Sequence, residues 1–317
     1  MKRFFGMLIL VVLCSSCDDG DLILDDLNFD NAKIAKCTSN GILYKLNEKE
    51  ALLLDLPDFV FPSETKTQSI IIGGKNRVVY RFYNGLVASE NICETIPPAT
   101  PGVSDQWNAE EGSIEITSTP IKKVDETNNS TRITGYNHNV VLRNITFKKS
   151  DGKNQKYEEL IFGAFGTTIE NTLPFAFTKA LNQCASTKQV YNYINSESLT
   201  LSNIDTNLIK NEITPLNAPR TALIGATNNS IIYKSFSGLL TSAYFCTATI
   251  PVLPSVIQEW KAASGISNLE GIIEVSTTTF GANGFKHTIV LKKAKMTRGE
   301  DSFLLGDTYI YGELITN

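Results

Sequence analysis

One stretch of the chain occurs twice. Shifted by 153 positions, Tyr80–Trp107 lies on Tyr233–Trp260, and nine of the 28 positions are then identical. They are Tyr80/Tyr233, Gly85/Gly238, Leu86/Leu239, Ser89/Ser242, Cys93/Cys246, Pro98/Pro251, Pro101/Pro254, Val103/Val256 and Trp107/Trp260. Unrelated segments would share about two, and self-similarity at a fixed period decides how many times a core is built. The match extends outward on both sides. Phe29–Cys37 is similar to Phe177–Cys184, Leu43–Tyr44 to Val190–Tyr191 and Glu50–Leu52 to Glu197–Leu199. Gly112–Ile116 aligns with Gly271–Val275, and His138–Leu142 with His287–Leu291. The expectation is two tandem copies of one domain, residues 27–172 and 173–317. About 145 residues apiece is enough for each copy to bury its own core.

The repeated unit reads mainly as strand. Over Arg77–Val87, alternation sets Val78, Tyr80 and Phe82 against Val79, Arg81 and Tyr83. The second copy sets Ile231, Tyr233 and Ser235 against Ile232, Lys234 and Phe236. Asn84–Gly85 marks a tight turn. Pro101 and Pro254 suit the first position of a short helix. Val103 and Trp107, like Val256 and Trp260, are four apart and would share one helical face, with Gly112 and Gly265 as stops. Three β-branched and aromatic strands close each copy, near Gly112–Ile116, His138–Leu142 and Leu160–Thr168 in the first. The fold class expected is mainly β, β-sandwich-like or α+β, with antiparallel sheets, one short helix and one disulfide per copy.

The cysteines fit that picture. Four lie beyond Cys17, and four allow three pairings. The repeat selects pairing within each copy, Cys37–Cys93 and Cys184–Cys246. Loops of that size stabilise by about 4 kcal/mol in the chain-entropy view. These four cysteines show no CxxC spacing and the chain no HxxxH, so no metal site is expected, and no cofactor motif occurs.

The N-terminus reads as an export signal: basic Lys2 and Arg3, apolar Phe4–Leu13, then small residues. Ten apolar residues are too few to span a bilayer, which takes about 20. Cys14–Ser15–Ser16–Cys17 resembles a bacterial lipobox, with Cys14 where the pattern prefers Leu. Asp18, Asp19, Asp21, Asp25 and Asp26 follow, and this acidic run resembles the surface-export tag of Bacteroidota lipoproteins. The chain is therefore similar to flavobacterial outer-membrane lipoproteins. The resemblance implies a signal peptide over residues 1–16, lipidation of Cys17 and an acidic tether over 17–26. It also implies a lipid-anchored place on the outer membrane, facing the exterior, with the periplasmic face as the alternative. Loss of the signal leaves 27 basic against 33 acidic residues, a balance that argues against nucleic acid as a partner.

Candidate chemistry is thin. Both tryptophans and both histidines fall at repeat-equivalent positions. Trp107 and Trp260 read as core packing, and His138 and His287 as structural strand residues. Arg81 and Tyr83, with Lys234 and Phe236, are the ligand candidates, since the repeat keeps a cation and an aromatic there. No GxSxG, HExxH, phosphate-binding loop or dinucleotide fingerprint occurs, so no catalytic residue is assigned. The expected role is a non-enzymatic binding, adhesion or accessory protein, anchored to the membrane by its lipid and engaging glycan or envelope proteins. The rivals are an extracytoplasmic hydrolase with an unrecognised site and a structural envelope component. Recognition is expected where the copies differ, at Lys122–Arg132 and Lys261–Glu270.

Overall fold

The computed structural model describes residues 27–169, 173, 175–177, 180–247 and 249–317. The signal peptide, lipobox, acidic tether and most of the Asn171–Pro174 join lie outside these residues. In chain order the strands are β1 (Ala35–Lys36), β2 (Leu43–Asn47), β3 (Glu50–Asp55), β4 (Lys66–Ile71), β5 (Arg77–Tyr83), β6 (Val103–Asp125), β7 (Ser130–Lys148) and β8 (Asn154–Thr168). There follow β9 (Asn182–Gln183), β10 (Val190–Ile194), β11 (Glu197–Ser202), β12 (Arg220–Leu223), β13 (Ser230–Phe236) and β14 (Val256–Ala262). The chain closes with β15 (Ile272–Phe280), β16 (Gly284–Lys292), β17 (Lys295–Arg298), β18 (Asp301–Leu304) and β19 (Thr308–Thr316). The strands pair antiparallel, so the molecule is mainly β, as the alternating pattern implied.

The two halves share one strand order. In the second half, one sheet runs β18-β17-β14-β13-β11-β10-β9 and another runs β12-β15-β16-β19. In the first half a single sheet runs β1-β2-β3-β5-β6-β7-β8, with β4 also on β6. There β6 pairs with β5 through its N-terminal part and with β4 through Ser113–Ser118. Long strands β6, β7 and β8 thus pass from one layer to the other without a break. Their second-half counterparts are interrupted, as β14 then β15, β16 then β17, and β18 then β19.

The bend is built from residues that tolerate positive φ. Gly112 has φ +116°, and a Cβ there would lie 2.8 Å from Arg143 O and Ile145 Cα. Asn144 on the facing strand has φ +48°, and its second-half counterpart Lys293 has φ +47°. Register shifts on both sides of Glu111 complete the kink.

Alternation then fills two cores per half. In the first, Leu52, Val78, Tyr80, Trp107, Ile114, Leu142 and Phe147 are buried together. On the other face of the same sheet, Tyr44, Leu53, Tyr83 and Ile92 pack around Cys37. The second half does the same, with Leu199, Tyr233, Trp260, Ile273 and Leu291 on one face. Tyr191, Phe236 and Phe245 pack around Cys184 on the other. Disulfides Cys37–Cys93 and Cys184–Cys246 tie these outer flaps to the sheet.

The expected helix is not where the prolines suggested. Val103 and Val256 each begin a strand, β6 and β14, and Thr100–Pro101 and Leu253–Pro254 are cis peptides. A spacing of four is even, so it returns to the same face of a strand as well as of a helix. Among the described residues helical structure is confined to α1 (Glu90–Cys93) and a 3₁₀ turn at Ser242–Tyr244, both before the disulfide corner. Strand β5 also ends at Tyr83 rather than Val87.

Candidate functional site

The tip of the β6–β7 hairpin reaches across to the second half. It carries most of Lys122–Arg132, which is strand and tight turn rather than a free loop. Asn129 Nδ2 donates to Asp307 at 2.6 Å, and Leu304 N donates to Thr131 Oγ1 at 2.8 Å. Arg132 Nη1 donates to Leu304 O at 3.1 Å, and Lys122 Nζ to Ser302 Oγ at 3.4 Å. Ile133 and Tyr136 belong to the second half's hydrophobic core.

At the centre of this joint sits Asp301, whose side chain is wholly buried. Its Oδ1 accepts from the Thr65 amide at 3.1 Å and from Thr65 Oγ1 at 2.5 Å. Its Oδ2 accepts from Tyr136 Oη at 2.6 Å, with Arg298 Nη2 at 3.6 Å. Burial, and the hydrogen bond to Asp301, push the Tyr136 phenol far above its ordinary value. A buried carboxylate with three donors is satisfied, and it binds residues from both halves to one point.

Beside Asp301 is a cavity of about 120 Å³, lined in part by Arg132, Tyr136, Gln258, Trp260, Arg298 and Phe303. A dry cavity of about 150 Å³ accepts a six-membered ring, so this one is of the size for a small headgroup. Arg298 lies 4.7 Å from the Trp260 ring centroid and donates Nη2 to Ser63 O at 2.8 Å. Among the described residues its Nε is buried without a hydrogen-bond partner. The Arg132 guanidinium lies 5.0 Å from the Phe175 ring and 5.5 Å from Phe303. Burial makes its charge costly and lowers its proton affinity, against the pull of Tyr309 and Asp125. A guanidinium does not give up its proton in a protein. Two guanidiniums therefore line the cavity, and the Asp301 carboxylate next to it is already saturated.

The histidines are fully buried and bracketed by hydroxyls. His138 Nδ1 is 2.8 Å from Ser118 Oγ and Nε2 is 2.9 Å from Thr167 Oγ1. His287 repeats this with Thr277 at 2.8 Å and Thr316 at 2.9 Å. Burial lowers the pKa of both, and Arg220 adds to the effect at His287. His138 links β7 to β6 and β8, and His287 links β16 to β15 and β19.

The four ligand candidates do not converge. Tyr83 and Phe236 are buried under the two disulfide flaps. Arg81 Nε donates to Gln106 at 2.9 Å, and Lys234 pairs with Glu259 at 3.1 Å. Trp107 and Trp260 are core residues, each under a cation: Lys149 at 4.4 Å and Arg298 at 4.7 Å. Asp301, Arg298 and Tyr136 were not singled out by the sequence, since nothing local brings residues 136 and 301 together. Arg132 was within reach, as an end residue of a stretch that differs between copies. No family model, no curated protein and no solved structure matches the chain.

Proposed function

We propose that this is a lipid-anchored binding protein of the outer cell surface, built by duplication of one β domain. In this reading the cavity at the joint holds a carboxylate-bearing group. The observation that carries the binding role is the pair of partly buried guanidiniums on the cavity wall. Arg132 and Arg298 face one carboxylate whose oxygens are taken by Thr65 and Tyr136. Two guanidiniums against one saturated carboxylate leave donors for a further acceptor, so the cavity favours an anion. The aromatic walls Trp260, Phe303 and Tyr136 suit a ring attached to that anion. The bracketed histidines favour scaffolding over acid–base work, since both ring nitrogens of each are already engaged.

Anchoring rests on Cys17 and the aspartates that follow it. Stable attachment takes more than one acyl chain, which a fully acylated cysteine supplies. An alkyne fatty acid fed to cells should label the parent protein and not Cys17→Ala. Protease added to intact cells should digest the labelled protein. Protection from protease on intact cells would place it on the periplasmic face instead, and absence of label would remove the anchor.

A further inference from the structure

Lys45 is an anomaly in the first half. It lies on β2 with Leu43 and points to the sandwich side of the sheet, where an apolar residue would be expected. It is only 4% exposed. Among the described residues no hydrogen bond or ion pair satisfies its ammonium. Asp30 attracts it from beyond contact, and burial holds the amine below its ordinary value. The repeat-equivalent residue on β10 is Asn192, equally buried and neutral.

The ammonium borders a cavity of about 440 Å³, also lined by Asp30, Lys33, Ile34, Ile161 and Gly163. Gly163 has φ +115°, and a Cβ built there would lie 3.9 Å from Lys45 Nζ. The absence of a side chain at Gly163 keeps the space over the amine open. Lys33 adds a second positive charge at the exposed rim, while Ile34 and Ile161 offer apolar wall. This cavity shares no lining residue with the one at the joint.

We propose that this cavity is a second binding site, for a small carboxylate with an apolar ring, whose carboxylate pairs with Lys45 Nζ while the ring lies against Ile34 and Ile161. Lys45 is largely buried while its ammonium stays open to the cavity, and an entering carboxylate supplies a direct counter-charge that no protein group among the described residues gives it. Lys45 would then be a residue kept for a ligand, not for folding.

The test uses the full mature chain and calorimetric titration with benzoate and cyclohexanecarboxylate, with their neutral amides as controls. The acids should bind in the millimolar range or better, and the amides at least tenfold more weakly. Lys45→Met should abolish binding of the acids while melting at or above the parent's temperature. Ile161→Glu, a change at a residue 56% exposed, should fold normally and also lose binding, because its carboxylate occupies Lys45. Equal binding of acids and amides would overturn the proposal, as would no binding of either acid. So would a Lys45→Met protein that binds as the parent does, or one that melts well below the parent, which would make Lys45 structural.

Discussion

At the scale of single residues, the repeat separates scaffolding from opportunity. His138 and His287 have the same hydroxyl partners at distances matched to within 0.1 Å. A group repeated that closely serves the fold. Its consequence is a pH dependence of stability. Burial lowers both folded-state pKa values below the ordinary 6.5. The unfolded chain therefore takes up protons first as pH falls, and stability declines below about pH 6.5. Each imidazole can contribute up to about 1.4 kcal/mol per pH unit in that window. Urea unfolding at pH 8, 6.5 and 5.5 should show this decline, and the double variant His138→Gln/His287→Gln should show a flatter one. An unchanged slope in the double variant would mean that the histidines are not responsible. Lys45 is the opposite case, a charge that the second half replaces with Asn192.

Among the elements, the sequence was most legible where period and partner agree. Strands β5 and β13 follow from alternation, and the disulfide pairing follows from the repeat. The segment after the proline corner was misread, because Val103 and Trp107 satisfy both periods and the Thr100–Pro101 cis bond leaves no trace in composition. The length of β6, β7 and β8 was also hidden, since a strand that changes layer swaps the residues that face the core. Gly112 was read as a helix stop, whereas it is the hinge of that change. Gly112→Ala should destabilise by about 3 kcal/mol, from the positive φ and from backbone atoms at 2.8 Å. Gly281→Ala has the same kind of φ, +63°, but no atom within 4 Å, and should cost about 1 kcal/mol. Chemical denaturation of the two variants measures the difference. Equal losses would remove the close approach as the cause.

At the scale of the whole molecule, two like halves meet at a joint in which Asp301 gathers polar partners and the β6–β7 tip docks beside it. The joint could not be read from the chain, because Tyr136 and Thr65 meet Asp301 across 165 and 236 positions. From the sequence, recognition is expected where the copies differ, at Lys122–Arg132 and Lys261–Glu270. The Lys122–Arg132 stretch has no counterpart role in the second half and instead docks onto it. Docking creates the cavity, and the cavity gathers the two arginines. The central claim is therefore that a carboxylate belongs between Arg132 and Arg298. A glycan array probed with the mature protein tests it most directly, with uronic- and sialic-acid-terminated glycans set against neutral ones. The parent should bind acidic glycans selectively, and Arg132→Gln/Arg298→Gln should lose at least tenfold while remaining folded. Binding to neutral glycans alone, or acidic binding that survives the double substitution, would contradict it.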